Sequence, residues 1–530
     1  MNIGIDFGTC FSSVAFMQGS RPVTNYLADL ESGRSGIPTL FSYSAELRKD
    51  CFGRECLGYA ASVNGGKDVI KYMKRLVREN AGNINKTVTS GGKTFTIKEV
   101  VEKYIEYLIR QAHMNAEESG DFEPGEKIEK VVITAPVGIS EGQDAATNYN
   151  RLLSETVKKI TGLPDKSIIV IREPVAAAIS YLHGQNIRQK YVDKQSVMVF
   201  DLGGGTLDVT IVEYDPTTNT YTPVVKEGDL NIGGNNWDAE LANLLLKKAG
   251  LKSNMFTGSQ EFDFYEEVNK AKHALSERED YYVAYKCQAD LYSAMVTRSE
   301  FESATKHLMD GAINVAKRAI DSYSSIGSVD KIVIVGGGSN MPQVRKALRA
   351  SFRQFNDDAI IQHDPSKAIC KGAAIYTRLS VKATDFINAT GLSFATIQET
   401  ASCTYGFDCR NSDEDKSMVY NLIFKKCNIP VTVKSKTTFT PIRDDQTTVT
   451  FRIYESQVDK KDCLDGCWMD FGSGEKLNQL KVEFPVPEEY YGRAKEFSCR
   501  ISLSLDKNEV LDVSISDEKG NSISCKKIKT

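Results

Sequence analysis

The hydrophobic pattern changes along the chain and marks two kinds of predicted structure. In the first part, apolar runs such as 130–134 and 197–200 are typical of buried strands, and 97–117 carries apolar residues at helical spacing. From Thr404 onward, polar and apolar residues alternate, as at 447–455, which is typical of the strands of a β-sandwich. The pattern therefore predicts an α/β domain followed by an all-β domain.

One glycine turn carries candidate chemistry. The segment 197–212 predicts a strand, a turn of Gly203, Gly204 and Gly205, and a returning strand. Glycines let backbone N–H groups converge on an anion such as a phosphate, and the Thr206 hydroxyl can add a further donor. Asp201 and Asp208 flank the turn and can hold a hydrated divalent cation. An ordinary glycine-rich hairpin is the alternative.

The same pattern occurs a second time, which weakens that alternative. Residues 3–16 repeat the order of strand, aspartate (Asp6), Gly-Thr turn and strand. A third glycine turn at 336–342 follows an apolar run and leads into a predicted helix. The Gly233-Gly234 pair opens another predicted helix, where free N–H groups and the helix dipole favour an anion, although a helix cap has the same pattern. These features suggest a nucleotide held between two similar half-domains.

Length, charge and cysteine content limit the class of protein. A chain of 530 residues is too long for one core, so several domains are expected. Because 70 acidic residues outnumber 66 basic ones and no long basic run occurs, the chain lacks the pattern of a nucleic-acid-binding protein. No apolar stretch is long enough to cross a bilayer, and the first strand begins at the first residues. We therefore expect no signal peptide and a cytoplasmic location.

The 12 cysteines are expected to be reduced thiols in such a location, because their spacing does not repeat. Cys463 and Cys467 form an isolated pair with no second pair and no histidine after it, which disfavours a zinc site.

Taken in order, the motifs are similar to those of Hsp70-type molecular chaperones (DnaK-like), within the superfamily of actin-like and sugar-kinase-like ATPases. The resemblance covers nearly the whole chain and is strongest at 1–15, 130–182, 198–212 and 331–342. It implies an α/β, actin-like ATPase domain of two lobes, followed by a β-sandwich. The implied boundaries are 1–380 for the nucleotide-binding domain, 381–402 for the linker, and 403–530 for a substrate-binding sandwich that lacks the helical lid.

The resemblance also implies an ATPase site that takes ATP or ADP with Mg²⁺. Lys74 is favoured over Lys71 because Lys74-Arg75-Leu76 matches the family segment whose lysine reaches the γ-phosphate. The implied catalytic residues are Asp201, Lys74, Glu173, Thr9 and Thr206, and the residues that hold magnesium through water are Asp6, Asp201 and Asp208. The implied phosphate-binding residues are Gly8, Thr9, Gly203, Gly204, Gly205, Thr206, Gly233 and Gly234, and Cys10 is a further implied contact of the nucleotide.

At the adenosine end, the resemblance is less complete. The positions that match the family's nucleotide contacts are Lys272, His273, Ser276, Gly337, Gly338 and Asn340. Asn269 stands where the family has a glutamate, His273 replaces a basic residue, and Asn340 stands where an arginine stacks on adenine. These departures predict weaker or less base-selective nucleotide binding.

In the predicted sandwich, matching by position places five side chains around a groove for extended apolar polypeptide segments. They are Tyr405, Phe407, Phe439, Val449 and Phe451. Side chains of this kind are also typical of an ordinary core, so both roles stay open.

Other departures concern coupling and partners. Asp144 stands where the family has an arginine eight residues after Pro136, and 386–387 is the nearest substitute for the leucine run of the family's linker. Arg172 and Val175 replace an asparagine and a threonine in the surface that binds J-domain proteins. Unfolded polypeptides are the expected partners, and a J-domain protein and a nucleotide-exchange factor are further candidates.

The resulting hypothesis is an Hsp70-like chaperone that hydrolyses Mg-ATP to regulate peptide binding. A phosphotransferase of the sugar-kinase branch is the first alternative, although no aspartate base beside a polyol pocket can be assigned. A non-hydrolysing ATP-binding scaffold is the second, because the base pocket and the linker are altered.

Overall fold

A computed structural model describes most of the 530-residue chain. The described residues are 1–18, 21–24, 28–29, 34–62, 68–80, 83–118, 120, 122, 125–136, 143–188, 193–324, 326–379, 396–401, 403–411, 416–456, 458, 460–470, 478–506 and 511–527. The chain divides into two compact units, one of Met1–Ile139 with Tyr149–Thr396 and one of Ser140–Asn148 with Ile397–Thr530. Most of the linker expected at 381–402 lies outside the described residues, so the predicted domain boundaries stay a prediction.

The first unit contains two sheets with the same arrangement of strands. In the first, the order is β12-β11-β1-β2-β3, with β6 also paired to β2. The strands β1, β11 and β12 are parallel, whereas β2 and β3 are antiparallel to their neighbours. The bounds are β1 Asn2–Asp6, β2 Phe11–Gln18, β3 Arg21–Thr24, β6 Ile37–Pro38, β11 Lys130–Ala135 and β12 Ile168–Arg172.

The second sheet places β19, β18, β13, β14, β15 and β20 (Thr396–Ile397) side by side in that order. Here β13, β18 and β19 are parallel, and β14 and β15 continue as an antiparallel meander. The bounds are β13 Gln195–Leu202, β14 Leu207–Asp215, β15 Thr220–Asp229, β18 Lys331–Val335 and β19 Ile360–Gln362. The internal repetition expected from the two Asp-Gly hairpins is therefore present in the topology.

Smaller strand pairs and helices complete the first unit. The pairs are β4 Ala28–Asp29 with β5 Arg34–Ser35, β7 Phe41–Ser44 with β8 Lys49–Phe52, β9 Thr87–Ser90 with β10 Lys93–Thr96, and β16 Asp280–Cys287 with β17 Asp290–Thr297. The helices are α1 Arg54–Ser62, α2 Met73–Glu79, α3 Ile97–Glu118, α4 Gln143–Thr161, α5 Glu173–Arg188, α6 Gly234–Ala249, α7 Gly258–Glu277, α8 Arg298–Ala304, α9 Lys306–Tyr323, α10 Pro342–Ser351 and α11 Ala368–Leu379. Of α4, the part from Tyr149 onward belongs to this unit. Among the described residues, no helix is long and apolar enough to span a membrane.

The helical pattern at 97–117 is confirmed by α3, which buries Val100, Tyr104 and Leu108 against the first sheet. Helices α5 and α11 pack closely because their contact is made of small residues. A Cβ atom added to Gly372 would lie 1.7 Å from the carbonyl oxygen of Ala176, so only glycine allows this approach. Each sheet has its own buried core, one that includes Trp237 of α6 and one that includes Tyr104 of α3.

The second unit is a β-sandwich, as the alternating pattern predicts. One sheet has the order β25-β22-β21-β24-β26 and the other β23-β27-β28-β29, all antiparallel. The bounds are β21 Thr404–Asn411, β22 Lys416–Ile423, β23 Val431–Lys434, β24 Thr448–Ser456, β25 Trp468–Asp470, β26 Asn478–Pro485, β27 Cys499–Leu505, β28 Leu511–Asp517 and β29 Ser522–Lys527. A core of apolar side chains from both sheets fills the space between them.

Candidate functional site

The two glycine hairpins of the first unit meet at their tips. Strands β1 and β2 pair from Ile3 with Phe16 to Asp6 with Ser13, and β13 and β14 pair Asp201 with Asp208 next to their turn. A Cβ atom on Gly204 would lie 2.4 Å from Cys10 Sγ, and one on Gly205 would lie 2.8 Å from Thr9 Cγ2. The approach of the two tips therefore depends on glycine at both positions.

The start of α6 joins the same point. The N–H groups of Gly234 and Asn235 donate to the carbonyls of Gly203 and Gly204, at 2.9 and 2.8 Å. Cys10 Sγ donates to Asn235 Oδ1 at 3.4 Å. The structure thus brings together the predicted phosphate-binding residues of both hairpins and of the Gly233-Gly234 pair. An anion at the start of α6 would compete with the two turn carbonyls for these donors.

A buried ion pair lies among the predicted catalytic residues. Lys74 on α2 donates through Nζ to Oε1 of Glu173, the first residue of α5, at 2.5 Å. The two side chains are only 10% and 5% exposed. Lys71, by contrast, places Nζ 4.2 Å from the centre of the Phe262 ring. The geometry therefore favours Lys74 over Lys71 as the cation among these carboxylates.

The aspartates of both hairpins belong to the same electrostatic cluster. Burial, reinforced by Glu173 and opposed by Lys74, raises the pKa of Asp6 to about 7. Burial together with Glu173 and Asp208 raises the pKa of Asp201 well above its ordinary value. Burial acts to lower the pKa of Lys74, but the neighbouring carboxylates outweigh it and the net shift is upward. Four acidic side chains thus face one lysine, and such an excess of buried negative charge suits a divalent cation.

The remaining residues that were predicted to be catalytic lie at the turns. Thr206 donates through Oγ1 to Asp208 Oδ2 at 3.2 Å, and Thr9 lies beside Gly205. Gly8 accepts a hydrogen bond from Thr39 Oγ1 at 3.0 Å. Within the described part of the chain, no three histidine, cysteine or acidic side chains are arranged to ligate a metal directly. The assignment of Asp6, Asp201 and Asp208 to magnesium through water stays a prediction.

The third glycine turn packs on the end of β13. Gly336 has a φ of 84°, and a Cβ atom there would lie 2.3 Å from Asp201 Oδ1. One on Gly338 would lie 2.8 Å from the carbonyl oxygen of Leu202, whereas Gly337 has open space around it. Asn340 is exposed and donates to the carbonyl of Gly337 at 3.2 Å. The turn that was predicted to face the base is therefore placed next to the carboxylate cluster.

The residues predicted on α7 have defined positions. Lys272 is buried and donates through Nζ to Asp238 Oδ2 at 2.7 Å and to the carbonyl of Gly234 at 3.1 Å. Ser276 donates to the carbonyl of Lys272 at 3.1 Å, and His273 is half-buried. Sequence reasoning missed Asp238. The sequence feature that could have revealed Asp238 is the presence of an acidic residue one helical turn after the Gly233-Gly234 pair.

In the second unit, two of the predicted groove residues occupy core positions. Tyr405 and Phe407 are completely buried between the sheets, which is the alternative role considered for them. Phe439 and Val449 are half-buried at the margin of the same core. Phe451 belongs to β24, and its side chain lies outside the described residues. The peptide-groove role stays a prediction, and Phe439 and Val449 are its best-placed members.

An aromatic cluster surrounds Phe439. Its ring centre lies 4.9 Å from that of Phe407 and 5.5 Å from that of Tyr420, and Tyr420 lies 4.7 Å from Trp468. Trp468 is half-buried and was not predicted as a site residue. Trp468 lies close to Tyr420 because the two residues pair across β22 and β25. The local sequence pattern does not reveal this pairing.

Two residues at which the first unit departs from the family pattern have side chains that the structure describes. Arg172 is buried and donates through Nη1 to the carbonyl of Pro136 at 3.2 Å, and Val175 is completely buried on α5. Neither side chain is exposed, and their effect on the binding of J-domain proteins stays a prediction. Asp144 belongs to α4, but its side chain lies outside the described residues, as does the linker segment 386–387.

Comparison with known proteins decides the family. A family model described as Hsp70 protein matches residues 2–463.

The chain belongs to the Hsp70 family.

Curated Hsp70 relatives are distant but cover most of the chain. It is 27% identical over 468 residues to "Chaperone protein DnaK" of Mycoplasmopsis agalactiae, covering 86% of this chain and 69% of that protein. It is 25% identical over 548 residues to "Chaperone protein DnaK" of Buchnera aphidicola subsp. Schizaphis graminum, covering 98% and 76%. It is 24% identical over 470 residues to "Chaperone protein HscA" of Buchnera aphidicola subsp. Baizongia pistaciae, covering 86% and 83%. The predicted family and the predicted Hsp70 fold class are confirmed.

Proposed function

We propose that this Hsp70 protein is a chaperone that hydrolyses Mg-ATP in its first unit and uses the nucleotide to regulate binding of extended apolar polypeptide segments in its second. The observation that carries the proposal is the buried Lys74–Glu173 pair, which lies with Asp6 and Asp201 where the two glycine tips meet. The names of the relatives, all chaperones, support the same function.

The proposed chemistry assigns a role to each charged side chain. Bound magnesium, held through water by Asp6, Asp201 and Asp208, would neutralise charge on the phosphates. Lys74 would stabilise the charge that develops on the transferred phosphoryl group, and Glu173 holds the Lys74 ammonium in place. Asp201, whose pKa is raised, would orient the attacking water and can accept its proton.

The glycine tips account for phosphate binding in this proposal. Gly204 and Gly205 lie against Cys10 and Thr9, so backbone N–H groups of both hairpins can reach one ligand between them. The hydroxyls of Thr9 and Thr206 are further donors at the same place. Binding that separates the two tips would change the contacts of both hairpins at once and would make the conformation depend on the nucleotide.

Peptide binding is assigned to the β-sandwich. Extended segments can pair with strand backbone and insert alternate side chains into apolar pockets. Phe439 and Val449 at the margin of the core, and Trp468 next to Tyr420, supply such apolar surface. ATP and peptide would then be linked by a reciprocal coupling free energy of about 1–3 kcal/mol.

Steady-state release of phosphate from Mg-ATP tests the enzymatic half of the proposal. Asp201→Asn keeps the size of the side chain but removes the charge, and we expect it to lower turnover at least about tenfold. Asp290→Asn, at an exposed position in β17, is the matched control and should leave turnover unchanged. Equal rates for wild type and Asp201→Asn would remove Asp201 from catalysis. ATP that is bound but not hydrolysed by the wild type would instead support the scaffold alternative.

A further inference from the structure

Aromatic rings and lysine side chains lie together on one surface of the second unit. We call it the Trp468 face, and it is formed by Tyr420, Phe439, Trp468, Lys436 and Lys460. The buried Tyr420 ring is its base, with its centre 5.5 Å from that of Phe439 and 4.7 Å from that of Trp468. Phe439 and Trp468 are half-buried, so both residues reach the surface. None of the roles assigned so far uses the two lysines.

The backbone of the first lysine is held by the neighbouring sheet. Lys436 follows β23, and its carbonyl accepts from Arg500 Nη1 at 2.7 Å. Three residues later, Phe439 exchanges two backbone hydrogen bonds with Cys499, at 2.8 and 3.0 Å. The Lys436 side chain is exposed. An exposed charge is therefore presented beside Phe439 by a segment whose backbone has a fixed position.

The second lysine lies against the turn that leads into β25. A Cβ atom added to Gly466 would lie 3.5 Å from Lys460 Cε, and Lys460 Nζ lies 6.0 Å from the centre of the Phe424 ring. The turn is closed by Leu464 and Trp468, which exchange two backbone hydrogen bonds of 2.8 Å. Lys460 is exposed, so a second charge is presented next to Trp468.

Both lysines act on the same thiol. Burial raises the pKa of Cys467, and a hydrogen bond with Tyr420 opposes the shift. Of the charged neighbours, Asp465 reinforces the shift, whereas Lys436 and Lys460 oppose it. Two ammonium groups and one carboxylate thus lie near the start of β25.

The sandwich leaves these two ammonium groups without a carboxylate partner among the described residues. Its described ion pairs join Arg443 to Asp445, Arg452 to Asp408, Lys481 to Glu483, and Arg493 to Glu496. Neither Lys436 nor Lys460 belongs to one of them. Nearby acidic side chains are thus paired with arginines, whereas the lysines of the Trp468 face are available to carboxylates from outside the chain.

We propose that the Trp468 face selects polypeptide segments in which an apolar residue is flanked by acidic residues. The inference rests on the proposed binding of extended polypeptide segments and names the class of segment that is preferred. The apolar side chain would pack against Phe439 and Trp468, and the flanking carboxylates would pair with Lys436 and Lys460. Complementary charges of this kind favour one class of partner and disfavour segments with basic flanks.

Anisotropy titration of the full chain, without nucleotide, tests the proposal with two fluorescein-labelled peptides. Both have the same leucine-rich centre, but one is flanked by glutamates and the other by lysines. We expect wild type to bind the glutamate-flanked peptide about fivefold or more tightly at low salt, and the ratio should shrink at high salt. Lys436→Met combined with Lys460→Met should reduce the ratio to about twofold or less. Lys481→Met, on β26 and paired with Glu483 at 2.6 Å, is the matched control and should keep the wild-type ratio.

The outcomes separate this proposal from the one on which it rests. Equal affinity for the two peptides, or tighter binding of the lysine-flanked one, overturns the acidic class and leaves peptide binding intact. Binding of neither peptide overturns both proposals, and a preference that persists in the double lysine variant overturns the role of the two lysines.

Tryptophan emission locates the site. The glutamate-flanked peptide should change the emission of wild type but not that of Trp468→Phe, which keeps Trp237 of the first unit. A change of the same size in both proteins would place the site away from the Trp468 face.

Discussion

The Lys74–Glu173 pair makes a quantitative prediction about stability. Removing one member of a buried ion pair leaves the other charge uncompensated and typically costs about 3–5 kcal/mol. Lys74→Met should reach that range, because it leaves Asp6, Asp201 and Glu173 without their cation. Glu173→Gln should cost less, about 1–3 kcal/mol, since Lys74 keeps the attraction of Asp6 and Asp208. In the double variant the costs should not add, and the coupling should be about 2 kcal/mol or more.

Urea unfolding can measure this cycle in the full chain. The sequence has two tryptophans, Trp237 in the first unit and Trp468 in the second, so a Trp468→Phe background makes fluorescence report on the first unit alone. The matched control is the cycle of Arg75→Met and Glu79→Gln. That pair has the same N···O distance of 2.5 Å but side chains that are 61% and 49% exposed, so its coupling should stay below about 1 kcal/mol. Additive costs for Lys74 and Glu173 would refute the buried-pair reasoning.

Three further predictions follow from the site and the sandwich. Gly204→Ala should weaken Mg-ATP binding, measured by calorimetry, about tenfold, because the added Cβ atom would lie 2.4 Å from Cys10 Sγ. Adding Cys10→Ala should recover part of this loss. Equal binding by wild type and Gly204→Ala would contradict the contact between the hairpin tips. Without magnesium and nucleotide, Asp6→Asn should stabilise the first unit more at pH 8 than at pH 5. The pKa of Asp6 is about 7 in the folded protein and 3.8 ordinarily, so the wild-type carboxyl makes the folded state less stable as the pH rises between these values. A gain in stability that is the same at both pH values would contradict this expectation. Trp468→Ala should weaken binding of a labelled apolar peptide about threefold or more by anisotropy if Trp468 borders the groove, whereas unchanged affinity would place the groove elsewhere.

The parts of the site that follow from local chemistry could be predicted from sequence. The Gly203–Gly205 turn and its repeat near Gly8 were recognisable because a strand, an aspartate and a glycine turn occur twice in one chain. Helix α3 was recognisable from its periodicity. In each case the residues that define the element are neighbours along the chain, so spacing carries the information.

Contacts between distant segments could not be derived in this way. Lys74 and Glu173 are 99 positions apart, and their roles came from the resemblance to the Hsp70 family rather than from spacing. The position of Asp238 depends on how α6 packs beside α7, which no local pattern shows. In the sandwich, matching by position placed Tyr405 and Phe407 around a groove, but sequence alone could not distinguish a groove from the core in which both lie.

The measurement that tests the central claim most directly is the release of a fluorescently labelled apolar peptide from the full chain, followed by anisotropy with and without Mg-ATP. Coupled units predict that Mg-ATP accelerates release or lowers affinity by about fivefold or more, the range of a 1–3 kcal/mol coupling. Asp201→Asn should still respond to ATP binding but should not return to the tightly binding state at the wild-type rate. Peptide affinity and exchange that are the same with and without Mg-ATP would contradict the proposed chaperone mechanism, even if ATP is hydrolysed.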